Sequence, residues 1–351
     1  MGNVPEDKRE THEAASRLTD RQRSVLASIV HRYIGMGEPV GSRILSKDLP
    51  EHISPATIRN VMADIEEMGL IEQPHASAGR QPTELGFRTW VEHIMPREEV
   101  TLADRNRIDQ AFDGVRDENE LLLAATLALA EVTRLLGVAV APVADRARLE
   151  RLDLIPVGDR QVVLVATFGT GLVRSLTIDF DIPVQGDTFA HLAREVHVAA
   201  LGHSPEEIRQ MLQAVPREGP RPLSELAARV LDALVRISDT SRREEVVLQG
   251  ASQIFAQPEL ESRAHMTDLV QLLEDRRILA QILQERDDQD EVVITIGSQN
   301  RISQMRFLSL VSRSYHLGEA SGSIGVLGPT RMPYGRLVSI VDYLAHRLSQ
   351  G

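Results

Sequence analysis

Hydrophobic residues recur at helical spacing in the first segment of regular pattern, close to the N-terminus. This segment begins with a capping box, Thr19 and Gln22, and is predicted to end at Gly35. Its apolar face consists of Leu26, Ile29, Val30 and Tyr33. A short extended stretch, 38–40, follows it, and a second helix is predicted from Gly41-Ser42 to a point before Pro50.

A third helix is predicted to begin at Ser54, a good N-cap residue, with Pro55 at the first helical position. Its apolar arc consists of Ile58, Val61, Met62, Ile65 and Met68. The opposite arc consists of Ala56, Arg59, Asn60, Ala63 and Glu67. This division predicts that the apolar arc packs on the first helix.

A hairpin pattern follows the third helix. Gly69 ends that helix, 70–73 reads as a strand, and 74–81 reads as a tight loop. Three short helices followed by a hairpin are the layout of a winged helix-turn-helix.

The rest of the chain alternates between strand and helix patterns. Helices are predicted at 102–113 and at 118–136, and the second of these is apolar nearly all round, so we expect it to be buried. Strands are predicted at 137–142, 149–156, 161–168 and 171–178. A mainly helical stretch at 184–242 comes next. It is followed by strands at 245–249, 292–296, 305–311 and 323–327, and by helices at 267–284 and 333–348.

These patterns predict an α+β chain of several domains. We expect a disordered tail at 1–17, a winged-helix DNA-binding domain at 18–95 and a strand-rich domain at 96–183 and 245–351. A mainly helical insert at 184–244 interrupts the strand-rich domain.

Charge restricts where nucleic acid could bind. The net charge is −12, yet residues 17–90 carry nine Arg and Lys against nine Asp and Glu. Because affinity for nucleic acid depends mainly on basic residues that neutralise phosphates, a DNA-binding role belongs to this neutral segment.

Composition also bears on location. The chain has no cysteine, which suits a reducing compartment, and its longest apolar run, 121–130, is too short to cross a bilayer. The charged N-terminus does not resemble a signal peptide. We therefore expect a cytoplasmic protein without a membrane partner.

The third helix has a polar first half and an acidic second half. A recognition helix enters the major groove by its N-terminal residues, so this gradient favours end-on entry. Asn60 could pair with adenine, Arg59 with guanine or a phosphate, and Ala56 or Thr57 could contact a thymine methyl group. The predicted DNA-contacting residues are Ser42, Arg43, Lys47, Ser54, Ala56, Thr57, Arg59, Asn60, His75, Ser77 and Arg80.

Simpler interpretations remain open for these residues. The third helix could be an ordinary amphipathic core helix, Lys47 a solvated lysine and His75 a turn cap. An enzyme is not favoured, because the glycines at 322, 325 and 328 match no phosphate loop. The histidines lack the spacing of metal ligands, so we expect no metal site. No nucleophile, base and orienting acid can be assembled from the sequence, so we expect no catalytic residue, and no cofactor is predicted.

Three segments resemble the signature sequences of the HrcA family of bacterial heat-inducible transcription repressors. They are PVGSRILSKDL at 39–49, SPATIRNVMADIEEMGLIEQPHASAGRQPTELGFRTWV at 54–91 and GSIGVLGPTRMPYGRLVSIVDYLAHRL at 322–348. The resemblance implies a homodimer that binds an inverted-repeat operator, called CIRCE, on double-stranded DNA upstream of chaperone operons. It also implies that the chaperonin GroEL supports the repressor. The strand-rich domain would be GAF-like, and the insert would be the dimerisation domain.

An alternative is a winged-helix regulator whose GAF-like domain binds a small ligand. No cluster of polar residues between 137 and 328 indicates such a pocket in the sequence. An effector that changes operator affinity without chaperonin would favour this alternative.

Overall fold

The computed structural model describes residues 6–49, 53–115, 118–143, 148–169, 173–214, 224–244, 246–284, 291–317 and 320–350. The helices are α1 (Glu6–Arg17), α2 (Asp20–Met36), α3 (Ser42–Asp48), α4 (Pro55–Glu67), α5 (Glu84–His93), α6 (Leu102–Ala111), α7 (Glu118–Thr133), α8 (Gly186–Ala200), α9 (Pro205–Gln213), α10 (Glu225–Glu244), α11 (Ala251–Phe255), α12 (Arg263–Glu274), α13 (Arg276–Gln284) and α14 (Tyr334–Leu348). The strands are β1 (Ile71–Glu72), β2 (Gln81–Pro82), β3 (Leu136–Val143), β4 (Leu149–Pro156), β5 (Gln161–Phe168), β6 (Val173–Asp179), β7 (Val246–Gln249), β8 (Val293–Ile296), β9 (Leu308–Leu317) and β10 (Ala320–Pro329). No helix among the described residues is long and apolar enough to cross a membrane.

The capping box predicted for the first helix is confirmed. The Thr19 hydroxyl accepts a hydrogen bond from the Gln22 amide, and the Gln22 side chain accepts one from the Thr19 amide. The predicted end at Gly35 is wrong, because α2 continues to Met36 and is capped by Gly37 at φ +72°. Only a residue in the left-handed region reverses the chain here, and Gly37 supplies it without steric cost.

Helix α4 begins as predicted, with Ser54 as N-cap and Pro55 in the first turn. Its buried residues are Ile58, Val61, Met62 and Ile65. They pack on α2, as expected, and also on α3. Strands β1 and β2 then form an antiparallel pair in which Ile71 lies opposite Pro82.

The expected disordered tail is wrong for residues 6–17, which form α1; residues 1–5 lie outside the described residues. Helix α1 packs on α5. Thr11 is buried and donates to Glu92 over 2.5 Å, and Arg88 donates to Glu10 over 3.1 Å. The buried positions of α1 are small or polar, so its sequence has no strong apolar periodicity. Its stability therefore depends on tertiary contacts, with α5 and with Arg23 of α2, which donates to the Ala15 carbonyl.

The larger sheet is antiparallel and has the strand order β7-β3-β10-β9-β8. Alternation along β3 assigns its two faces to different cores. Ala139 and Ala141 lie in the core that contains α7, α14 and the N-terminal helices, whereas Val138 and Val140 lie in the core that contains α12 and α13. The N-terminal helices and one face of this sheet therefore share one continuous core.

The smaller sheet, with strand order β4-β5-β6, has a separate core shared with α8, α9 and α10. The predicted boundary between 183 and 184 is therefore wrong, because β4–β6 belong with the insert. Amphipathic strands show that one face is buried but not which neighbour buries it. The chain leaves the larger sheet after β3 and returns at β7, and these two strands are adjacent.

Two further helix predictions need correction. Helix α7 is not buried all round, since Leu123 is 47% and Leu127 44% exposed. The predicted helix at 267–284 is two helices, α12 and α13, separated at Asp275, whose φ and ψ of −94° and 76° are not helical.

Candidate nucleic-acid interface

The first turn of α4 is held by two of the predicted site residues. The Ser54 hydroxyl oxygen accepts from the Thr57 amide over 3.2 Å, and the Ser54 and Thr57 hydroxyls are 2.9 Å apart. The Ser54 hydroxyl thereby satisfies one of the free amide groups at the helix start. Ser54 and Thr57 therefore define where α4 begins, and Ser54 itself is exposed.

Three other predicted residues of α4 project away from the core. Ala56, Arg59 and Asn60 are exposed, whereas Ile58 between them is buried. A methyl group, a guanidinium and a carboxamide thus lie together within about one helical turn. These groups match the apolar and hydrogen-bonding edges of bases in the major groove.

Helix α3 lies beside α4 and contributes Ser42, Arg43 and Lys47. Arg43 and Lys47 are exposed, and Ser42 is half-buried. The Ser46 hydroxyl donates to the Ile53 carbonyl over 2.7 Å, which holds the end of α3 near the start of α4.

A bidentate ion pair fixes α3 on α2. Arg32 donates to both carboxylate oxygens of Asp48, over 2.5 Å each. The hydrogen bond from Arg32 holds the pKa of the Asp48 carboxyl below its usual range. The pair is partly exposed, so its main contribution is the orientation of α3 relative to α2.

The loop between β1 and β2 carries His75 and Ser77, both exposed. Hydrogen bonds within the loop hold its conformation. The side-chain amide of Gln73 donates to the backbone carbonyls of Ala76, over 3.0 Å, and Ala78, over 2.9 Å. Gly79 lies so close to Val40 that a Cβ atom would be 2.4 Å from the Val40 carbonyl carbon. The loop therefore packs tightly on the segment that precedes α3.

Arg80 is placed differently from the simple prediction. Its guanidinium is paired with Glu66 of α4 over 2.9 Å, and its backbone forms two hydrogen bonds with Val40. Arg80 thus connects the loop to α4 and to the segment that precedes α3. Sequence reasoning missed Glu66 and Gln73 as supporting residues, since nothing in the spacing shows that Glu66 faces the loop.

The acidic half of α4 lies at the end opposite Ser54. Asp64 and Glu67 are exposed there, and Glu66 is partly neutralised by Arg80. Acidic residues are thus separated along the helix from the exposed polar residues of its first two turns. Among the residues that the structure describes, no group of three or more His, Asp or Glu is arranged to hold a metal ion.

Comparison with known proteins gives a consistent result. The model of the HrcA protein C-terminal domain matches residues 119–338. The heat-inducible transcription repressor HrcA of Pelotomaculum thermopropionicum is 32% identical over 342 residues, covering 95% of this chain and 97% of that protein. The protein of the same name from Moorella thermoacetica is 33% identical over 337 residues, covering 95% of this chain and 98% of that protein.

A solved crystal structure of a hypothetical protein has a similar fold. It superposes with a TM-score of 0.61 at 23% identity and covers 95% of this chain and 98% of its own. The fold is therefore shared well beyond the N-terminal helices. The match to the family model and the similarity along nearly the whole chain show that the chain belongs to the HrcA family.

Proposed function

We propose that the chain is a heat-inducible transcription repressor that binds operator DNA through its N-terminal unit. Helices α2–α4 with β1 and β2 act as a winged helix-turn-helix, α4 enters the major groove, and the loop at 73–80 is the wing. The name of the relatives supports repression and heat induction.

One observation carries this proposal. Ala56, Arg59 and Asn60 are exposed side by side on α4, and the same helix is tied to the loop by Glu66 and Arg80. An ordinary core helix does not need an ordered loop beside its exposed face. A DNA reader does, because base contacts and backbone contacts must be made together.

Family membership supports the finer features of the proposal. The operator is an inverted repeat of the CIRCE type in front of chaperone genes, and a homodimer matches its two-fold symmetry. The strand-rich domain is GAF-like, the insert serves dimerisation, and GroEL supports the active repressor. Heat then acts by drawing chaperonin away to unfolded proteins.

The test is a footprint of the purified full-length protein on the chaperonin promoter of its own genome, with and without added GroEL. Protection of two half-sites related by a dyad, strengthened by GroEL, is expected. Protection without a dyad would contradict the dimeric operator, and an unchanged footprint with GroEL would remove the chaperonin from the proposal. A promoter fragment with one half-site scrambled is the control.

A cleft supports the alternative of a ligand-responsive regulator. It has a volume of about 670 Å³ and lies between the linker after α5 and helix α14. Its lining is mixed in charge and includes Arg97, Arg105, Glu99 and Asp342, so it indicates no particular ligand class. A small metabolite that changes operator affinity about tenfold without GroEL would favour this second function.

A further inference from the structure

The C-terminal signature contains a segment, 328–334, that the DNA-binding site does not use. We propose that this docking segment fixes the orientation of the N-terminal unit, residues 18–95, on the rest of the chain, and so sets the spacing between the operator half-sites that the dimer accepts. The inference rests on the proposed function, because it requires two DNA-binding units on a dyad operator.

Arg331 makes the central contact of the docking segment. Its guanidinium donates to the Ile34 carbonyl in the last turn of α2 over 2.7 Å, and pairs with Glu259 of the strand-rich domain. It also covers Gly37, where an added Cβ would lie 3.3 Å from Arg331 Cζ. Helix α2 has no basic residue in its own last turn, so Arg331 supplies the cation that its C-terminus favours.

A second contact holds the start of α5. The Glu84 carboxylate accepts hydrogen bonds from the backbone amide, over 2.9 Å, and from the hydroxyl of Ser298. Gly297 approaches Glu84 so closely that a Cβ would lie 2.5 Å from its carboxylate oxygen. This contact is made at a different helix from the Arg331 contact, so the two together restrict rotation of the N-terminal unit as well as its position.

Aromatic packing joins the two contacts. The rings of Phe87 and Tyr334 are 6.3 Å apart, and Phe87 also lies 6.0 Å from Tyr33. Met332 and Tyr334 are fully buried in the core that contains α2, α4 and α5. The N-terminal unit is thus packed on the strand-rich domain and not held by the linker alone.

Such packing has a consequence for operator choice. Each added base pair turns one half-site by about 35° relative to the other. Two units fixed on a dimer cannot follow that turn, whereas two units on flexible linkers can. The docking segment should therefore make affinity depend steeply on half-site spacing while leaving the affinity for one half-site unchanged.

The experiment compares full-length Arg331→Met with the wild type on operators whose central spacer is lengthened or shortened by one and two base pairs. The wild type should lose about tenfold or more at two base pairs, and Arg331→Met less than about threefold. Affinity for a single half-site should stay within about twofold of the wild type. Glu84→Gln should also reduce the dependence of affinity on spacer length.

Controls keep the outcome decisive. Arg313→Gln removes a similarly buried arginine, 15% exposed against 18% for Arg331, that pairs with Asp342 within the strand-rich domain. This variant should keep the wild-type dependence of affinity on spacer length. If Arg331→Met is poorly folded because Glu259 loses its partner, Arg331→Met with Glu259→Met removes both charges. An unchanged spacing profile in folded variants, or an equal loss on the single half-site, would overturn the proposal. A wild type that ignores the dyad altogether would instead refute the proposed function.

Discussion

Asn60 is an exposed residue of α4 whose side chain is suited to recognise one particular base, adenine. Its carboxamide is exposed in the second turn and can donate to and accept from the adenine edge at once. We expect Asn60→Ala to cost about 1–3 kcal/mol per half-site and to relax specificity at one base pair. Binding to operators substituted at each position would measure both effects.

Glu67→Ala is the matched control for Asn60→Ala. Glu67 is also exposed, but it lies at the acidic end of α4. Its removal should leave the order of preference among operators unchanged. If Asn60→Ala left specificity intact, α4 would not read bases in the way proposed.

Arg134 is the described non-glycine residue with positive φ, at +59°, directly after α7. The left-handed conformation costs an L-residue about 1–2 kcal/mol, and a glycine avoids this cost. Part of the resulting stabilisation is offset because glycine loses more conformational entropy on folding. Arg134→Gly should therefore stabilise the fold by about 0.5 kcal/mol, measured by denaturant unfolding. The backbone carbonyl of Arg134 still accepts from Gln257.

Gly250→Ala provides the opposite case. Gly250 also has positive φ, +85°, and an added Cβ would lie 2.6 Å from the Cβ of Ala130. This substitution should destabilise by more than about 1 kcal/mol. Stabilisation of both variants, or of neither, would contradict the backbone explanation.

At the scale of elements, the pair of Glu66 and Arg80 joins α4 to the loop. We expect Arg80→Ala to weaken binding about equally for all DNA sequences, by roughly 0.5–1 kcal/mol, because the pair is partly exposed. Affinities for operator and for unrelated DNA should fall together. A loss confined to certain operator sequences would mean that the loop reads bases.

Glu66→Gln separates two roles of Arg80. If Arg80 acts by holding the loop on α4, Glu66→Gln should weaken binding in the same direction as Arg80→Ala. If Arg80 contacts a phosphate directly, removal of the neighbouring negative charge should leave affinity unchanged or raise it.

The elements show where sequence patterns succeed and fail. Helices α2, α3 and α4 were predicted because caps and apolar spacing are local properties. Helix α1 was missed because its stability depends on contacts of Thr11 and Glu10 with α5, which is remote in sequence. The break at Asp275 was missed because the apolar pattern of α12 continues into α13.

At the scale of the whole molecule, the insert can be tested as a unit. The insert begins after β3 and ends before β7, and these two strands are paired, with Val140 opposite Val246. Replacing residues 144–245 with Asn-Gly leaves a five-residue connection between these two residues, made of 141–143 and Asn-Gly. The shortened chain should fold and be monomeric by light scattering. Its affinity for one half-site should stay within about twofold of the wild type, whereas the gain from the second half-site should be lost.

Stability serves as the control for this deletion, because α10 also packs on β3 and α13. Cooperative unfolding of the shortened chain would show that its sheet is intact. A shortened chain that is folded and still dimeric would assign dimerisation to another surface.

The sequence by itself determined the local features of this protein. Ser54 and Pro55 start α4, Thr19 and Gln22 start α2, and the two arcs of α4 separate its buried face from its exposed face. These features depend on backbone hydrogen bonds and on side-chain spacing within a few residues, so they can be read without the fold.

Only the tertiary structure decided which distant groups meet. Glu66 faces Arg80, Arg331 caps α2, and β4–β6 pack with α8–α10 and not with the larger sheet. Each of these pairings depends on the relative placement of whole elements, on which the local pattern carries no information. The same physical reason explains why the exposed face of α4 was predictable and its attachment to the rest of the molecule was not.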